Sequence, residues 1–79
     1  MYLPSEDSFF FAEFLSNYLK KLSKKEKTEL KFIDIGTGSG ILAETAKKSG
    51  IKNILALDID KESVNYVKKK GINVIHSDL

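Results

Sequence analysis

"FIDIGTGSG", residues 32–40, decides how this chain is read. Phe32, Ile33 and Ile35 make a short apolar strand interrupted by Asp34, and glycines follow at 36, 38 and 40. Glycines at that spacing let the backbone take positive φ and present bare amides at the start of the next helix. The pattern is GxGxG, not the GxGxxG that cradles a dinucleotide pyrophosphate. An acid just ahead of the turn repels an anion and favours a ligand that carries positive charge.

Working outward, residues 41–49 read as a helix that Gly50 stops in the left-handed conformation. Residues 53–57 form a second strand ending at Asp58. Asp60 then caps a helix over 61–70, with Glu62 early, three lysines late and Gly71 as its stop. Residues 73–75 make a third strand. Upstream, Pro4, Ser5, Glu6 and Asp7 open a helix. Its apolar stripe is Phe11, Phe14, Leu15, Tyr18, Leu19 and Leu22. Residues 23–29 are charged and apolar-free, a solvated connector.

Strand, helix, strand, helix, strand implies right-handed crossovers and a parallel sheet. The fold class is α/β: an N-terminal helix plus a βαβαβ half of a Rossmann-like, doubly wound parallel sheet. The chain is one unit, 1–79, with a helix and connector over 1–31 and the βαβαβ half over 32–79. In such sheets the ligand lies outside the carboxyl ends of the strands. No second half follows, so the expectation is a fragment, or a chain that self-associates through its exposed sheet edge.

Composition narrows the function classes. A chain of 79 residues buries only about 60% of its unfolded surface and is marginally stable alone. It has no cysteine, and His76 is its single histidine, so no metal centre is expected. No apolar run reaches the ~20 residues of a membrane span, and a cytoplasmic location is expected. The net charge is +2, and all thirteen basic residues are lysines. Without the arginine fork, a dedicated nucleic-acid reader is disfavoured. The lysine runs instead complement helix C-termini.

Asp58, at the end of the second strand, can accept both hydrogen bonds from a ribose diol. Asp78 ends the third strand, where a carboxylate can accept from an adenine amino group while Leu79 packs on the ring. With Asp34 and the glycines, these acids describe a pocket for an adenosine bearing positive charge. Asp60 is better explained as a cap and His76 as a surface residue at a strand end.

At these residues the chain resembles the class I S-adenosylmethionine-dependent methyltransferases: "DIGTGSG" is similar to their first motif, "LALDID" to the second and "HSDL" to the third. The stretch "YLPSEDSFFFAEFL" is similar to the Y-x-P-x-E-D-S/T opening of the HemK-like release-factor glutamine methyltransferases, in their archaeal and eukaryotic branch. That resemblance implies S-adenosyl-L-methionine as cofactor. Ser8 would touch its methionine part, Asp34 and Gly36 its amino-acid end, Asp58 the ribose, and Asp78 with Leu79 the adenine, with Gly38 also among the cofactor-binding residues. Tyr2, Glu6 and Asp7 would line the pocket or cap the helix. It also implies a translation release factor as substrate and a small zinc-binding activator subunit as partner. Family enzymes orient the target amide with an Asn-Pro-Pro-Tyr motif, which this sequence lacks, since its single proline is Pro4. The 79 residues are therefore expected to bind cofactor without catalysing, and no catalytic residue is assigned.

Two other readings stay open. One is an adenine-N6 methyltransferase acting on RNA or DNA, which shares the first three motifs. The other is a non-catalytic, self-associating binding module that uses the glycine turn only for packing. A nicotinamide-dependent dehydrogenase fits least, because it needs the longer glycine spacing and tolerates Asp34 poorly.

Overall fold

Alternating apolar segments and glycine stops produce the expected order from residue 31 onward. The computed structural model describes residues 6–77. Its elements are helices α1 (Glu6–Lys20) and α2 (Lys24–Glu29), strand β1 (Lys31–Ile35), helix α3 (Ile41–Lys48), strand β2 (Asn53–Asp58), helix α4 (Lys61–Lys68) and strand β3 (Val74–His76). The strands form one parallel sheet in the order β1-β2-β3. Lys31 pairs with Asn53 and Ile35 with Leu57 across β1 and β2, and Ala56 pairs with Val74 across β2 and β3. The helix start at Pro4 and Ser5, and the strand-end residues Asp78 and Leu79, lie outside the described residues.

The register sorts the side chains onto two faces. Phe32, Asp34, Ile54, Ala56, Asp58 and Val74 share one face, and the helices cover it. There Ala43 of α3 and Val64 and Val67 of α4 pack with Ala56, Ile72 and Val74. A second cluster joins Leu19 of α1, Ala46 of α3 and Ile51 to Leu15, Leu22, Leu30 and Phe32. Burying each large apolar side chain here contributes about 1.5–3 kcal/mol. The opposite face carries Ile33, Ile35, Leu55, Leu57 and Ile75. Among the described residues no helix lies on it, and Ile33 and Ile35 are 59% and 66% exposed.

Stops and caps act as the sequence implies. Gly50 and Gly71 both have positive φ, at 97° and 78°. The Asp60 side chain accepts from the Ser63 amide at 2.9 Å, the expected cap of α4.

Three expectations are corrected. Residues 23–29 are not simply a connector. Lys24–Glu29 is helical because Ser23 and Glu26 form a reciprocal capping box, at 2.9 and 3.0 Å. The Ser23 amide and then its side chain hold the Glu26 carboxyl below the usual glutamate range. The α1 stripe is split: Leu15, Leu19 and Leu22 face the body, whereas Phe11, Phe14 and Tyr18 are more than half exposed. Helix α1 lies against α3, whose small Ala46 meets Leu19 and leaves a contact too narrow for the aromatic side of the stripe. Finally, β3 runs one residue later than expected and α4 ends at Lys68, two residues early, with Lys69 as its C-cap. The left-handed Gly71 fixes the chain reversal, and helix hydrogen bonding frays ahead of it.

Candidate functional site

The segment between β1 and α3 is held from several sides. Gly36, Gly38 and Gly40 have φ of 70°, 57° and 81°, a run of left-handed turns that side chains rarely permit. The amides of Gly36 and Thr37 both donate to the Leu57 carbonyl, at 2.8 and 3.0 Å, so the loop starts by extending the sheet. The Gly38 amide donates to Asp58 Oδ2 at 2.9 Å, and the Gly40 amide to the Thr37 carbonyl at 2.8 Å. Gly40 also lies so near α4 that a Cβ there would sit 2.9 Å from Val67 Cγ2.

Asp34 and Asp58 play different parts. Asp34 is the fourth of five residues in β1 and points to the helix-covered face, nearly buried. Thr37 Oγ1 donates to its Oδ2 at 2.7 Å, and the Ala43 amide of α3 donates to it as well. Desolvation raises its pKa above the ordinary aspartate value; the bonds from Thr37 and Ala43 oppose that shift, and nearby Asp58 adds to it. Asp34 therefore ties β1, the loop and α3 together from beneath. Asp58 is the last residue of β2, and both its oxygens are oriented by backbone: Oδ1 accepts from the Asp60 amide at 2.8 Å while Oδ2 takes Gly38. Each oxygen keeps a lone pair for a further donor.

Beside this carboxylate is an open cavity of about 180 Å³, lined by Ile35, Gly36, Asp58, Ile59 and Ser77. It is smaller than the ~300 Å³ of a complete small-molecule site, as a pocket with one wall would be. A larger cavity of about 400 Å³, lined by Lys47, Ile51, Ile72 and Asn73 among others, lies at the opposite strand ends and contains none of the acids. The chemistry favours the smaller one. Ser8 is half-buried in the first turn of α1 and is not among the described residues lining it.

Sequence reasoning missed two groups that hold the loop. One is Thr37, whose hydroxyl sits three residues after an acid, a local pattern that could have signalled it. The other is Lys70. Its Nζ donates to the Ser39 carbonyl at 2.8 Å, lies 4.9 Å from the centre of the Tyr66 ring and 3.8 Å from Glu44 Oε1. Nothing in the run Lys68–Lys70 marks one lysine above the others. His76 is exposed, as expected, with Nε2 2.7 Å from the Ile59 carbonyl at the cavity rim.

Chemically, this arrangement can orient hydroxyl donors on Asp58 and let a ligand approach bare backbone at Gly36. Among the described residues there is no cluster of three or more metal-ligating side chains, and no helix long and apolar enough to cross a membrane.

Comparison with known proteins gives a consistent picture. The family model described as Ribosomal protein L11 methyltransferase (PrmA) matches residues 16–77. A ribosomal protein L11 methyltransferase from Leuconostoc citreum is 46% identical over 55 residues, 60% of this chain and 19% of that protein. One from Clostridium perfringens is 37% identical over 68 residues, 77% of this chain and 22% of that protein. The chain thus spans about a fifth of the length of the curated relatives it matches. The crystal structure of Thermoplasma acidophilum 1320 superposes with a TM-score of 0.61 at 26% identity, covering 85% of this chain and 46% of that one.

Proposed function

We infer the function from one premise: the chain belongs to the ribosomal protein L11 methyltransferase family. From it we propose that residues 1–79 are a cofactor-binding part of a protein methyltransferase that uses S-adenosylmethionine. The observation that carries this is the link between the Gly38 amide and the Asp58 carboxylate at the carboxyl ends of β1 and β2. A carboxylate so oriented beside bare glycine backbone would suit a ribose diol of an adenosine. The residues present fit the group. Asp58 would accept the ribose hydroxyls, and Gly36 and Gly38 would leave room for close approach. Asp34 acts through Thr37 and α3 by shaping the loop. Asp78 and Leu79 are the candidates for the adenine, and Ser8 for the methionine part. When bound, the cofactor supplies an electrophilic methyl group on a sulfonium, so the protein's task is positioning. No residue of this chain is assigned a catalytic role.

For the substrate we propose a protein side chain, with a ribosomal protein of the L11 kind preferred. The relatives of 37–46% identity are named for that activity. The release-factor glutamine reading rests on Tyr2, Pro4, Glu6, Asp7 and Ser8, all outside the segment the family model matches. That reading, with its zinc-binding subunit, is the second choice. Nothing favours nucleic acid as substrate.

Titration calorimetry with S-adenosylhomocysteine tests the cofactor. Binding that is lost in Asp58→Ala supports the reading, and binding indifferent to Asp58→Ala removes it. For the substrate, a chimera joining this chain to the remainder of the Clostridium perfringens relative would be assayed on L11 and on a release factor. Methylation of the release factor alone would reverse the order of the two readings.

A further inference from the structure

Helix α1 carries an apolar surface that the fold leaves uncovered. At 100° per residue, Asp7, Phe10, Phe11, Phe14 and Tyr18 of α1 fall within an arc of about 100°, and Lys21 follows in the turn just past the helix. The body-facing residues Leu15, Leu19 and Leu22 lie beside that arc. Phe10, Phe11, Phe14 and Tyr18 are 68%, 57%, 66% and 56% exposed, and the two adjacent Phe rings meet edge to face with centroids 6.1 Å apart. Acid stands at one end of the stripe and base at the other. Neither Asp7 nor Lys21 has an ion-pair partner among the described residues.

The arrangement has a centre. Phe14 lies midway between Asp7 and Lys21, and midway between Phe10 and Tyr18. A second α1 laid antiparallel across the first therefore sets Phe14 on Phe14 at a twofold axis, Phe10 on Tyr18 twice, and Asp7 against Lys21 twice. An isologous contact requires that self-complementarity: each residue meets a different one and the pairing is returned. A parallel arrangement would instead oppose like charges at both ends.

We propose that two copies of this chain associate through α1 in that antiparallel register. The occupant is a second copy because the charges at the stripe's ends match the stripe itself. The uncovered sheet face is also apolar, but Ile33, Ile35 and Ile75 bring no charge pattern that fixes a register. Four aromatic side chains of about 200 Å² each, a little over half exposed, offer on the order of 500 Å² per copy. A standard interface uses about 800 Å² per partner, so the dimer is weak, with a dissociation constant in the range of about 10 μM to 1 mM. This inference is independent of the cofactor reading.

Sedimentation equilibrium of the 79-residue chain over about 10 μM to 1 mM tests it. Phe14→Glu, an exposed change that places two charges on the axis, is expected to weaken association at least about tenfold with an unchanged circular dichroism spectrum. Asp7→Lys and Lys21→Asp singly weaken it by roughly fivefold, by setting like charges together. The double variant Asp7→Lys with Lys21→Asp restores it. A strictly monomeric wild type at 1 mM overturns the proposal. So does association that is indifferent to these changes and lost on Ile33→Glu, which would assign the contact to the sheet.

Discussion

Gly40 illustrates how much one hydrogen atom matters at the loop. Its φ of 81° and the 2.9 Å approach to Val67 Cγ2 make two separate demands for glycine. Gly40→Ala is expected to destabilise by about 2–4 kcal/mol in denaturant titration, combining backbone strain with overpacking against a buried valine. Gly36 has nothing within 4 Å of a Cβ, so Gly36→Ala carries the conformational cost alone, about 1 kcal/mol. Asp34 gives a prediction in pH. Its folded pKa is raised, so folding favours the protonated form. That contribution is complete below the ordinary aspartate pKa and is lost as pH rises through the folded value. Asp34→Asn should therefore melt higher than wild type at about pH 7, with the advantage shrinking toward about pH 4. An advantage that does not depend on pH would mean Asp34 is not the group responsible. The glycines and acids at this scale were legible because they are rare choices for a strand and a turn. The pinning by Lys70 was not, since reach across space leaves no local signature.

Among the elements, α2 shows a helix set by its ends. Its six residues bury nothing, and the capping box supplies what packing does not. Ser23→Ala is expected to cost about 1 kcal/mol locally. Amide exchange of Leu30, which donates to the Glu26 carbonyl, should accelerate about fivefold while the buried strand amides hold their rates. The S-x-x-E pattern was present in the sequence, but the lack of apolar residues hid it. For α1, periodicity identified the apolar stripe and could not say which side of it α3 would cover. Lys70, just past α4, fastens a neighbouring loop. The Ser39–Gly40 peptide is held at its carbonyl by Lys70 and at its amide by the Thr37 carbonyl. Lys70→Met should speed Gly40 amide exchange about tenfold and weaken S-adenosylhomocysteine binding, with little change in melting temperature. Lys70→Arg should recover part of both, because a second cation can reach the same carbonyl.

At the scale of the molecule, one helical layer on a three-stranded sheet leaves Ile33, Ile35 and Ile75 on the far face without cover. This much followed from the strand–helix alternation, since two right-handed crossovers in sequence put both helices on one face. Ile33→Thr with Ile35→Thr should sharply reduce the fluorescence of a bound hydrophobic dye. The melting temperature should change little, because both side chains are largely in water already. A large loss of stability would mean that this face is covered in solution. Ser8 lies in α1 and does not line the cavity beside Asp58, while Asp78 and Leu79 lie outside the described residues.

The strand order has a consequence for how the chain assembles. Sheet order equals chain order, so each strand pairs with the one made just before it: Lys31 with Asn53, 22 residues apart (53 − 31), and Ala56 with Val74, 18 apart (74 − 56). Both loop closures are short for a parallel sheet, whose long-range pairings usually slow folding. Growth can then proceed in the direction of synthesis, each βα segment docking on the last. A nascent chain would thus join Gly38 to Asp58 as soon as β2 docks on β1, before β3 is made.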